Sequence, residues 1–418
     1  MAMAALKACG CWIVSASGEK LIAVPTDPGG EPFVFDCSRA EKNPQETGKK
    51  GDDGGNEEPG SDRVLALAAS PSGTFCALAD DAKRLVLFGA QPTWRLISTR
   101  WVVRRCTSLA FTGAEDELLA ADKSGDVYSF SVSRPQRPGE LRLGHLSMLL
   151  AVAVTPDDKY IITADRDEKV RVSILKSPYN IQSFCLGHRE FVSALCVPAV
   201  PPRCLLSGSG DGTLKLWEYE SGRRLQSWDL KEPSDMSTAD TGSEMRLAVC
   251  SLVSSPDGGH VAVLCESIPK VHLFRAEPGP EGHLASAQVL TLSHCAWDVT
   301  FDPQGRLWIL VQEQEHPVVL FTRTEGGWER VRECAELSRV EETLRTHWDT
   351  FQDSMGADGR FQHLYKVNFD NMASYLQKKQ ERIQQQNEKK GRKRAAEHPR
   401  CNSTKKKTKE GGAAQPGS

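Results

Sequence analysis

Four stretches of the chain align with one another: "ALADDAKRLVLF" (77–88), "LAADKSGDVYSF" (119–130), "ITADRDEKVRVS" (162–173) and "LSGSGDGTLKLW" (206–217). Each is an apolar strand, a tight polar turn and an alternating strand. Their ends, at Phe88, Phe130, Ser173 and Trp217, are 42, 43 and 44 residues apart. Self-similarity at such a period means stacked copies of one supersecondary unit, because a single copy cannot bury its apolar face. Weaker copies end at Phe35 ("GGEPFVF"), Phe274 ("IPKVHLF") and Phe321 ("HPVVLF"), which makes seven units. Upstream strands end in turns such as "AASPSGTF", "VAVTPDDKY", "VSSPDGGHV" and "TFDPQGRLW". Pro fixes φ in these turns, and Gly or Asp accepts the turn geometry.

Short alternating strands, a turn signal every ten or so residues and a period near 43 fit four-stranded blades. Gly144-His145 and Gly187-His188 each open a repeat. In the second, His188, Ser207, Asp211 and Trp217 sit where a buried hydrogen-bond chain braces a blade of the WD-repeat family. The chain therefore resembles the WD-repeat β-propellers over about residues 1–335. The expected fold class is all-β: a seven-bladed WD-repeat β-propeller with a C-terminal helical extension and a disordered basic tail. The unit at 162–175 keeps His145 and Asp167 for the brace but has Ser173 where Trp would stand. Polar insertions at 38–62 and 231–246 are expected to be disordered. The first and last units are the most degenerate, so the strand that closes the ring is left open.

The period changes near residue 337. Leu337, Val340, Leu344 and Trp348 recur every three or four residues, which predicts a helix. A second helix is expected from an Asp370/Asn371 cap to about 390. Helices thus fill 336–390, and 391–418 is expected to be a disordered basic tail. Residues 378–410 hold thirteen Lys or Arg against four Asp or Glu. The formal net charge of the whole chain is only −3, so the remainder stands at −12. An acidic body with a basic tail suggests two jobs in one chain.

Several function classes find no support. No apolar run approaches a membrane span, and the start "MAMAALKACGCWIV" does not read as a secretory signal. The thirteen cysteines lie scattered on apolar strands without a C-x-x-C pair, as reduced core residues do. "GSGDG" (208–212) is an inter-strand turn rather than a phosphate loop, since no helix follows in the required register. The histidines show no H-E-x-x-H spacing, and no Ser sits in a G-x-S-x-G elbow. No catalytic, cofactor-binding or metal-binding residues are assigned.

What remains is binding. Three consecutive units load the turn between their second and third strands: Asp80, Asp81, Lys83 and Arg84, then Asp122, Lys123 and Asp126, then Asp165 to Lys169 with Arg171. A linker entering one of these blades carries Arg104-Arg105. The other units are poorer there ("TDPGG", "GSGDGT", "ESIPK", "EQEHP"). Mixed charge on adjacent blades suits a charge-complementary docking site. The basic segment offers nuclear-import addresses ("KKGRKR", "KKKTK") and a helix able to grip phosphates.

Longer strings extend the resemblance. "ADKSGDVYSFSV" (121–132), "LGHLSMLLAVAV" (143–154), "TADRDEKVRVS" (163–173), "SFCLGH.EFVS" (183–193), "GDGTL.LWEY" (210–219) and "LYK..FDN..SYL.KK" (364–379) are similar to the WD-repeat non-catalytic subunits of animal tRNA (guanine-N7-)-methyltransferases. That resemblance implies a separate Rossmann-type catalytic partner, which would bind S-adenosylmethionine and methylate a variable-loop guanosine of tRNA. This chain would hold no cofactor, pair with the catalytic subunit as a heterodimer, stabilise it and position tRNA. Partner contacts are carried over to Lys123, Asp167 and Arg171, with Arg166, Lys169 and the Arg104-Arg105 pair beside them. For tRNA the expectation falls on Lys378, Lys379, Arg382, Lys389 and Lys390. A nuclear location is expected, with the cytoplasm left open. Alternatives are a propeller substrate receptor of a ubiquitin ligase and a chromatin adaptor. Against the first, no WD pair here is followed by x-Arg.

Overall fold

A computed structural model describes residues 4–43, 60–231, 246–277, 282–355 and 359–366, and beyond them only 376, 379, 380 and 382. The described residues form seven four-stranded antiparallel sheets, each built from four consecutive strands. The blades span Ala5–Asp36, Val64–Trp101, Cys106–Gly144, Leu149–Cys185, Val192–Asp229, Val249–Thr291 and Ala296–Val331, numbered 1 to 7. First strands of successive blades lie side by side around the axis, and Ala5–Cys9 meets Ala296–Phe301 to close the ring. Among the described residues no strand is exchanged: blades 1 and 7 are each complete in sequence order. Apolar side chains alternate so that each sheet packs on both neighbours. Leu118, Ala120 and Phe130 of blade 3 face blade 2, while Leu119, Ala121 and Val127 face blade 4.

The meander sends every turn between second and third strands, and every linker entering a blade, to one face, here the upper face. Two sequence readings shift as a result. In blade 1 the third strand is Lys20–Pro25, so Phe35 lies on the fourth strand and "TDPGG" is a lower-face turn. The upper-face turn of blade 1 is Gly18-Glu19. Phe35 mimics the repeat's aromatic end because it packs edge-on against Phe88 of blade 2, 5.1 Å between centroids.

The ring seam is covered by helix α1 (Ala335–Thr346). The Cys334 side chain accepts from the Leu337 amide at its N-terminus. Leu337, Val340 and Leu344 are buried among Ile22 and Val24 of blade 1 and Trp308 and Leu320 of blade 7. Lys7 pairs with Asp298 across the same seam at 3.2 Å, and Asp298 also accepts from the Leu6 amide. The chain then runs over the upper face. Thr350 receives a hydrogen bond from Ser17, and Arg63 pairs with Asp353 at 2.6 Å. Phe361, Leu364 and Tyr365 pack on Phe191 and Ala248 at the channel mouth. The compact unit therefore extends to Tyr365, well past the boundary placed at 335, because these side chains share the blades' core.

Of the insertions, 44–59 and 232–245 lie outside the described residues. The described flank of the first is held: Asp62 pairs with Arg84, and Ser61 donates to Asp81 at 2.8 Å. The 391–418 tail also lies outside the described residues. Among those described, no helix is long and apolar enough to cross a membrane.

Candidate functional site

The brace residues of blade 5 come together. Trp217 Nε1 donates to Ser207 Oγ at 2.8 Å, Ser207 meets His188 Nε2 at 2.7 Å, and His188 Nδ1 meets Asp211 at 3.1 Å. An ionised carboxylate can only accept, so Nδ1 carries the proton and Nε2 accepts from Ser207. Burial lowers the His188 pKa, which favours the neutral ring. Burial alone would raise the Asp211 carboxyl, but the His188, Thr213 and Arg189 hydrogen bonds hold it well below the usual range. Every polar atom is satisfied within the fold. This is a structural chain, not a poised acid and base.

Blade 4 uses a different acid from the one expected. His145 Nδ1 bonds Asp165, not Asp167, at 3.1 Å, and Nε2 bonds Thr163 at 2.8 Å. Asp167 is exposed on the turn. The reason is a local device shared by three blades. Asp80, Asp122 and Asp165 each end a second strand and accept the amide four residues on, from Arg84, Asp126 and Lys169, at 2.9, 3.0 and 3.0 Å. Such a carboxylate closes the turn from inside. Asp80 and Arg84 form a buried pair at 2.6 Å, and Asp81 accepts from the Arg63 amide at 2.9 Å. Much of the charge read as a docking surface is therefore scaffold.

What is left for a partner is a smaller set on the upper face of blades 3 and 4. Arg104, Asp167 and Lys169 are exposed; Lys123, Arg105, Arg166 and Arg171 are half-buried. Three of the arginines are anchored by backbone carbonyls. Arg105 donates to Asp81 O at 3.0 Å, Arg166 to Leu364 O at 3.2 Å and Arg171 to Gly144 O at 3.0 Å. Arg171 thus ties blade 4 to the last strand of blade 3, and burial lowers its pKa. Exposed Leu146, Phe184 and Leu186 flank this area on the same two blades. Their exposure was not evident from sequence, where single apolar residues at strand ends carry no signal. Of the residues expected to meet tRNA, Lys379 and Arg382 are helical and exposed, while Lys378, Lys389 and Lys390 lie outside the described residues.

The fold is that of a WD-repeat β-propeller. Solved structures agree on the fold. The RRP9 WD40 repeats match with a TM-score of 0.59 at 21% identity, covering 76% of this chain and 89% of that one. U3-55K matches with 0.59 at 22% identity, covering 80% and 93%. A family model described as the tRNA methyltransferase TRM82 WD40 domain matches residues 35–140 and 131–320. The chain is 55% identical to a tRNA (guanine-N(7)-)-methyltransferase non-catalytic subunit of Danio rerio, over 96% of each chain. It is 45% identical to the Homo sapiens protein of the same description, over 89% of each. This chain belongs to the family of non-catalytic subunits of tRNA (guanine-N7-)-methyltransferase.

Proposed function

We propose that the chain is the scaffold in methylation of a variable-loop tRNA guanosine at N7. It binds a separate catalytic subunit as a heterodimer, stabilises it and helps to hold the tRNA. S-adenosylmethionine sits on that partner, and this chain holds no cofactor. The observation that supports this reading most is the upper face of blades 3 and 4. There Lys123, Asp167 and Lys169 project from turns whose backbone is fixed from below by buried Asp122 and Asp165. Arg104 and Arg105 flank them, and Arg166 and Arg171 are held ready by carbonyls. A rigid charged surface loses little entropy on docking and steers an oppositely patterned partner.

The basic segment that includes Lys378, Lys379, Arg382, Lys389 and Lys390 serves the RNA. Its cations grip phosphates without reading bases. The same segment supplies the nuclear address, so the complex works in the nucleus.

The test is charge reversal at half-buried Lys123 and exposed Lys169. Lys123→Glu with Lys169→Glu lowers co-purification of the catalytic subunit about tenfold or more, while the melting temperature of the free propeller stays put. Undiminished co-purification would place the docking face elsewhere. Arg171 is a poorer probe, since removing it also unties blades 3 and 4.

A further inference from the structure

Exposed apolar side chains are not spread evenly over the outside of the ring. Of the thirteen large ones among the described residues, six fall between Leu141 and Leu186, on the fourth, outermost strands of blades 3 and 4 and the linkers that follow them. The outermost strand of blade 4, Ser177–Cys185, exposes Tyr179, Ile181 and Phe184 and holds no Asp, Glu, Lys or Arg. Five of the other six outermost strands carry such a charge, and the sixth, His283–Thr291, exposes only Val289 among its large apolar residues. Charge on an edge strand keeps other chains away, and blade 4 lacks that protection. Its backbone is still blunted, since Pro178 and two register shifts against Val170–Ile174 interrupt the ladder. A partner is thus met by side chains and not by an added strand.

The upper end of this strand runs into the charged turn. Phe184 stands directly opposite Arg171 in the ladder, so both project from one face of the sheet. Arg171 reaches the Gly144 carbonyl at 3.0 Å, which identifies that face as the one turned to blade 3. Leu186 is two residues on, where strand alternation returns to the same face, and it is exposed. On the blade 3 side, His145 turns inward to Thr163 and Asp165, and the next residue, Leu146, stands fully exposed.

We infer that Leu146, Phe184 and Leu186 form the apolar centre of the surface that docks the catalytic subunit, with Lys123, Asp167 and Lys169 as its rim. The inference rests on the docking reading given above and adds what holds the complex together. Exposed charge pairs speed encounter and select orientation but contribute little affinity. Stable interfaces draw most of theirs from a few large anchors that leave water, surrounded by a polar rim. The partner's matching face is apolar at its middle, with charges of opposite pattern around it.

Binding of the purified catalytic subunit to the full chain, followed by biolayer interferometry at low salt and at about 1 M salt, tests this. At about 1 M the Debye length is about 3 Å, so the charged rim is screened. The wild type is expected to lose on-rate there but to keep measurable binding. Leu146→Ser with Phe184→Ser and Leu186→Ser weakens binding about tenfold or more at both salt levels, chiefly through faster dissociation. Phe184→Leu with Leu186→Met stays within about threefold of the wild type. Melting curves check that each variant is folded. Should the triple variant melt early, Leu146→Ser alone, at a fully exposed position, is expected to lose about threefold or more. Wild-type affinity in the Ser variants, with Lys123→Glu and Lys169→Glu still impairing, shows an interface of charge alone; it overturns the inference and leaves the docking reading standing. Wild-type affinity in both sets overturns both. Sedimentation of the free chain is expected to show a monomer. Self-association that the Ser variants abolish assigns the apolar strip to a second copy of this chain and overturns the inference as well.

Discussion

At the scale of single residues, the same side chain reads as docking charge in the sequence and as scaffold in the fold. Asp80 and Arg84 are both fully buried and bonded to each other. Arg84 also pairs with Asp62, but removing Arg84 strands the buried Asp80 carboxylate, so Arg84→Ala costs about 3–5 kcal/mol in urea unfolding. Replacing both with apolar residues of similar volume costs far less, and a double-mutant cycle measures the difference. The blade 5 brace makes a pH prediction whose sign follows from its two depressed pKa values. The unfolded chain binds a proton at His188 more readily than the folded one, so stability starts to fall as pH drops through about 6.5. Asp211, also depressed, adds a further loss below about pH 4, which ends only as pH passes its folded value. Thermal melts across this range should show both steps, with the upper one reduced in His188→Gln. A flat profile for the wild type between pH 7 and 5 would contradict the neutral, buried His188.

Elements show why part of the fold was legible. Aromatic ends such as Phe88, Phe130 and Trp217 mark third strands because they fill the space between neighbouring blades. Blade 1 broke the pattern: its third strand ends in Pro25, and Phe35 borrowed the signal from the next strand. The turn-closing aspartates were in plain view as the repeated Ala-Asp of 79–80, 121–122 and 164–165. Their meaning lay in an amide four residues on, which only the backbone's path reveals. The strap over 359–365 gave no sign at all, because its partners Phe191 and Ala248 are more than a hundred residues away. Helix α1 was readable from its period, but its task was not. It clamps blades 1 and 7, which have no exchanged strand between them. Leu344→Ala therefore acts on the ring and not merely on a surface helix. A loss of about 2–5 kcal/mol is expected, with hydrogen exchange rising first in Ala5–Cys9 and Ala296–Phe301. Exchange confined to 335–346 would show that the seam holds without the helix.

For the whole molecule, the architecture divides labour. Seven blades supply a ring whose brace side chains are spent on one another, and the upper face carries the charged side chains on which the proposed docking rests. Family membership fits such a body, since a non-catalytic subunit needs shape and charge but no reactive constellation. The most direct test is methyl transfer to tRNA from labelled S-adenosylmethionine, with this chain alone, the catalytic subunit alone and the two together. The account predicts no N7-methylguanosine from this chain alone and its highest yield from the pair. It also predicts that Lys123→Glu with Lys169→Glu brings the pair back to the level of the catalytic subunit alone. Methyl transfer by the purified single chain, or a pair no better than the catalytic subunit alone, would contradict it.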